Sequence, residues 1–88
     1  MDTGIENPIR ALRKRLGLSQ GQLAVTLGVP FEAIQRSEGG NGGDHLPRRV
    51  VEALVAAGAD AEELQQQYST WRAAQRQAGR QALQVALR

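Results

Sequence analysis

Catalysis and metal binding need particular side chains gathered in one place, and this sequence offers few of them. Its 88 residues include no cysteine and a single histidine, His45. That excludes a thiolate nucleophile, a disulfide framework and a cysteine zinc site, and one imidazole does not complete the usual metal sphere. His45 reads as a loop residue, with a phosphate contact as its next use. The acids do not cluster around a nucleophile. The run Gly39-Gly40-Asn41-Gly42-Gly43 lacks the lysine and hydroxyl that a phosphate-cradling loop needs. Neither enzymatic activity nor a metal or cofactor is expected.

The chemistry that remains is that of cations and amides. Arg10, Arg13, Lys14 and Arg15 cluster early, and Arg36, Arg48 and Arg49 lie mid-chain. After Glu63 no acid occurs, while Arg72, Arg76, Arg80 and Arg88 follow. The net charge is only +2 although the pI is near 9.9, so the placement of charge matters more than its sum. No apolar run approaches the roughly 20 residues that span a bilayer. Met1-Asp2-Thr3-Gly4 has no basic-then-apolar targeting pattern, and a cytoplasmic location without membrane attachment is expected.

The elements that must position these side chains are helices. Asn7-Pro8 is a helix start, Ile9, Leu12 and Leu16 recur on one face, and Gly17 is the stop; Thr3 with Glu6 offers an earlier capping box. Ser19 with Gln22 forms a capping box for a second helix, whose buried face is Leu23, Ala24 and Leu27 and whose stop is Gly28. Val29 and Pro30 then lead directly into a third, from Phe31 to Glu38. After the glycine-rich loop, Pro47 opens a fourth helix carrying Val50, Val51, Leu54 and Val55, closed by Gly58. Asp60 with Glu63 caps a fifth, which runs from Ala61 towards the C-terminus past Gly79. No stretch alternates with period two. The expected fold is all-α: a compact domain of four to five helices ending in a long C-terminal helix.

Residues 20–37 have the residue types of a helix-turn-helix. Ala24 is small where the second helix passes over the first. Gly28 accepts the positive φ of a sharp turn. Val29 fills the angle between the helices, Ile34 anchors the second, and Leu23 and Leu27 supply the facing surface.

Around this constellation the sequence resembles the phage repressor/Cro (XRE) helix-turn-helix family. The run Leu18-Ser19-Gln20-Gly21-Gln22-Leu23-Ala24-Val25-Thr26-Leu27-Gly28-Val29 carries the resemblance. Glu38-Gly39-Gly40 and Arg13-Lys14-Arg15-Leu16-Gly17 extend it, so that it covers about residues 8–58. The resemblance implies sequence-specific binding of double-stranded DNA as a dimer, and transcriptional regulation by repression. A helix fits the major groove, where its exposed side chains meet base edges. Phe31, Glu32, Ala33, Gln35 and Arg36 would read bases: Gln35 an adenine, Arg36 a guanine, Phe31 a thymine methyl, Glu32 a cytosine. Gln20, Asn41, Arg48 and Arg49 would hold phosphates. The chain departs from the family pattern at Ser37, where a large apolar residue is usual, and at Pro30, where Ser or Thr is usual. Both departures predict a less firmly held second helix.

Two units are expected: 1–58 as the DNA-binding domain and 59–88 as a C-terminal helix. In the latter, Leu64, Tyr68, Trp71, Gln75, Ala78, Ala82 and Val85 follow heptad-like steps. Leu64, Tyr68 and Trp71 would close the core. Trp71, Gln75, Ala78, Ala82 and Val85 would offer a surface for pairing two copies. Arg72, Arg76 and Arg80 stand at i, i+4 spacing, where like charges disfavour an isolated helix by a few tenths of a kcal/mol (~0.2–0.5); they form either a solvated face or a face towards an anion or acidic surface. The alternative function is a protein-interaction module, antitoxin-like or adaptor, whose main surface is this helix.

Overall fold

The computed structural model describes residues 5–39 and 43–88. Thr3 of the earlier capping box, Gly40 and the phosphate candidate Asn41 lie outside the described residues. The chain forms α1 (Pro8–Leu16), α2 (Gln20–Leu27), α3 (Phe31–Gly39), α4 (Arg48–Ala56) and α5 (Ala61–Ala86), with no strand among the described residues. The fold is all-α with a long C-terminal helix.

Local chemistry sets most helix ends. The Asn7 Oδ1 accepts from the amides of Ile9 (2.9 Å) and Arg10 (3.1 Å), with Pro8 at the first helical position. Ser19 and Gln22 make the reciprocal capping box in full: the Ser19 Oγ accepts from Gln22 N–H at 3.1 Å, and Gln22 Oε1 accepts from Ser19 N–H at 2.8 Å. The box at Asp60 is half formed. Asp60 accepts from Glu63 N–H at 2.9 Å, whereas the Glu63 carboxylate accepts instead from the Gln67 side-chain amide. Helix α5 passes through Gly79 unbroken.

Ile9, Leu23, Ala24, Ile34, Leu46, Val50, Leu54, Tyr68 and Trp71 form the buried core, drawn from every helix and from the α3–α4 connection. Helix α5 packs on α4 and α1, and α2 on α3 and α4. Tyr68 is fully buried, and Trp71 lies beside it with ring centroids 5.7 Å apart.

Three sequence expectations are corrected here. Trp71, given both to the core and to a surface between copies, is only 8% exposed and belongs to the core alone; large aromatic area is best removed from water where a short aliphatic core leaves room. Leu16, the last residue of α1, is 55% exposed at the end of the helix. Val55 is likewise exposed, one position off the Val50–Leu54 stripe.

Candidate nucleic-acid interface

The geometry of residues 20–38 starts from the turn between α2 and α3. Gly28 has φ +69°, in the left-handed region that a side chain disfavours. With that turn in place, Val29 N–H donates to the Ala24 carbonyl at 3.0 Å, closing the end of α2. Pro30 contributes its carbonyl to the first turn of α3, accepting from Ala33 N–H at 3.0 Å. Val29 packs against the core, and α3 leaves at once.

Helix α3 then presents two faces. Ile34 and Ser37 are fully buried. Phe31, Glu32, Gln35 and Arg36 are exposed along the opposite stripe. Ala33 falls between them: it is half-buried and packed on the core, so its assignment among the outward readers is corrected. It stands four residues before the buried Ser37, on the same side of the helix.

The departure at Ser37 has a structural counterpart that the sequence reading missed. Ser37 Oγ donates to the Ala33 carbonyl at 2.7 Å, and the Ser37 carbonyl accepts from the Asn7 Nδ2 at 2.7 Å. Asn7 is itself only 2% exposed. One carboxamide therefore caps α1 and ties the last turn of α3. A second tie was missed as well. Arg13 meets Glu38 in a two-pronged ion pair, Nε to Oε2 at 2.8 Å and Nη2 to Oε1 at 2.9 Å, while its Nη1 donates to the Leu18 carbonyl at 3.1 Å. That arrangement is the strong geometry for an arginine–carboxylate pair. It joins α1, the α1–α2 turn and α3, and the expectation of a loosely held α3 is corrected: both missed contacts act over 25 or more positions in sequence, so only the residue types, and not their pairing, were visible.

On either side of the exposed stripe lies a groove. One, about 380 Å³, is lined by Pro30, Glu32, Ala33, Arg36, Pro47, Arg48 and Arg49. It brings Arg36 to the arginines that open α4. Pro47 supplies no side-chain cap there, so the positive end of the helix dipole adds to their charge. Arg48 is paired with Glu52 at 2.8 Å, but both side chains are mostly exposed and such a pair is readily exchanged. The other groove, about 410 Å³, is lined by Arg10, Arg13, Gln20, Gln35, Glu38 and Gly39. Gln20 and Gln35 thus share a groove, and Arg10 joins them. Of the expected base and phosphate residues, these two grooves gather Gln20, Glu32, Ala33, Gln35, Arg36, Arg48 and Arg49, and Phe31 stands exposed on the same stripe. His45 is exposed in the turn before α4.

The C-terminal residues divide sharply. Gln75, Ala82 and Val85 are exposed and Ala78 is half-buried. Leu83, Val85 and Leu87 are 58%, 66% and 77% exposed. Arg76 does not face a solvated stripe alone: its Nη2 donates to Asp44 Oδ1 at 2.6 Å. No helix among the described residues is long and apolar enough to cross a membrane. Set against protein-family models, curated proteins and solved structures, the chain matches none.

Proposed function

We propose that the chain is a helix-turn-helix protein of the phage repressor/Cro (XRE) type, which binds double-stranded DNA sequence-specifically and regulates transcription, acting as a repressor. The observation that carries this reading is the outward stripe Phe31, Glu32, Gln35 and Arg36, raised between one groove holding Arg48 and Arg49 and another holding Gln20 and Arg10. A helix laid in the major groove would meet base edges along that stripe and a phosphate strand on each side. Gln35 is suited to an adenine and Arg36 to a guanine. Glu32 opposes phosphates unless it accepts from a cytosine amine, so it disfavours sites lacking one. The protein is read as non-enzymatic and cytoplasmic, with no cofactor.

The exposed end of α5 supports pairing of two copies through Gln75, Ala78, Ala82 and Val85. A two-fold dimer would read a pseudo-palindrome whose half-sites are about 34 Å apart, or a multiple of that. The same exposed Leu83, Val85 and Leu87 favour the second reading, an adaptor or antitoxin-like module whose partner covers this helix end.

Selection from a pool of random duplexes separates the two. Recovery of a defined motif, bound with a steep fall in affinity as salt rises, supports the DNA reading. No enrichment, with stoichiometric co-purification of another protein, replaces it with the adaptor.

A further inference from the structure

The turn between α3 and α4 is fastened from α5 at successive levels. Leu46 N–H donates to Gln65 Oε1 at 3.0 Å, and the Leu46 side chain is buried in the core. The Tyr68 hydroxyl donates to the Gly43 carbonyl at 3.4 Å. Arg76 donates to Asp44 at 2.6 Å, in a pair that leaves both side chains about half to two-thirds exposed (52% and 67%). Gln65, Tyr68 and Arg76 lie on one helix, and the turn they hold leads within three residues of Leu46 into Arg48 and Arg49. Pro47 gives α4 no side-chain cap, so the start of the helix is held by the buried Leu46 and Val50 on either side and by the ties from α5.

Building on the DNA-binding reading, we propose that Arg76 is a positioning residue for it: without touching DNA, it holds Asp44 and so keeps the start of α4, with Arg48 and Arg49, at the phosphate edge. An arginine on a basic helix would ordinarily be credited with direct attraction to DNA. The pairing with Asp44 predicts a different pattern, because the acid then aids binding although its charge opposes the phosphates.

The test measures affinity of the full chain for a labelled random-sequence duplex at several salt concentrations, with Arg76→Gln, Asp44→Ala and the double variant. Both positions are exposed, so helicity by circular dichroism should be unchanged. Each single variant is expected to weaken binding by about two- to fivefold, the range an exposed ion pair supports. The salt dependence should become shallower by up to about 0.9 in slope for each phosphate given up. The double variant should be no weaker than either single one, since both remove the same link. Exchange of the Leu46 amide proton, which the turn protects, should quicken in both singles. Tighter binding by Asp44→Ala, additive losses in the double variant, or unaltered Leu46 exchange would each overturn the role given to Arg76. If the parent chain itself fails to bind the duplex at low salt, the DNA reading falls and takes this role with it; binding by the parent with any of the former results removes this role alone.

Discussion

Asn7 shows how much one buried amide can hold. Its oxygen satisfies two amides at the start of α1, and its nitrogen satisfies a carbonyl at the end of α3. Asn7→Ala should therefore lose more than an ordinary cap: about 1 kcal/mol for the cap and about 1–3 kcal/mol for the stranded Ser37 carbonyl, read by denaturant melts. Asn7→Asp keeps the cap acceptor but turns a second oxygen onto the Ser37 carbonyl in a buried site, so it too should destabilise. Tyr68 gives a pH dependence of definite sign. Burial pushes its hydroxyl above the usual tyrosine value of 10.0, with Arg72 opposing and Asp44 adding to the rise. The unfolded chain then releases this proton first, so the stabilisation is complete below pH 10 and is lost as pH rises through the folded value. Thermal melts from pH 9 upward (about one unit below the tyrosine value) should fall more steeply for the parent than for Tyr68→Phe. Arg36 belongs to the exposed stripe of α3, not to the core. Arg36→Ala should leave the melting temperature unchanged, weaken binding to a selected site by about 1–3 kcal/mol and relax preference at one base position.

Among the helices, what could be read in advance followed how local the cause was. The caps at Asn7 and Ser19 and the left-handed turn at Gly28 depend on neighbours within a few positions, and all were legible. The outward stripe of α3 was legible too, because Ile34 fixes its inward face and the helical period does the rest. Contacts that close only in three dimensions were not. Nothing near Arg13 in sequence names Glu38, and nothing near Arg76 names Asp44; the core side of Trp71, by contrast, followed from its spacing with Leu64 and Tyr68. The same division predicts where α5 tolerates loss. Trp71→Ala should destabilise by about 3–5 kcal/mol, as core aromatic truncations do. Removing 79–88, all exposed within one copy, should leave the melting temperature within a degree or two (about 0.5 kcal/mol or less) at concentrations too dilute for pairing. A larger drop would mean that this end is covered in the folded protein.

The whole molecule measures 47 × 25 × 21 Å, elongated by the last turns of α5. That shape makes the oligomeric state easy to test at the right boundary. Cutting at Arg72 would strip away the Arg76–Asp44 tie together with the proposed pairing surface, whereas cutting after Ala78 spares it. Sedimentation of the chain with and without 79–88 is expected to show a dimer turning into a monomer. A dimer that survives the cut would place the pairing surface elsewhere.

The single tryptophan of the chain, Trp71, stands 5.7 Å from its single tyrosine inside the core. The two stand three positions apart on α5 and stay within transfer range even in an unfolded chain, so the gauge is the indole itself, which emits at short wavelength only while water is kept away. The protein thus carries a native optical gauge at the junction of α5 with the rest, so its folding can be followed by intrinsic emission with no dye attached.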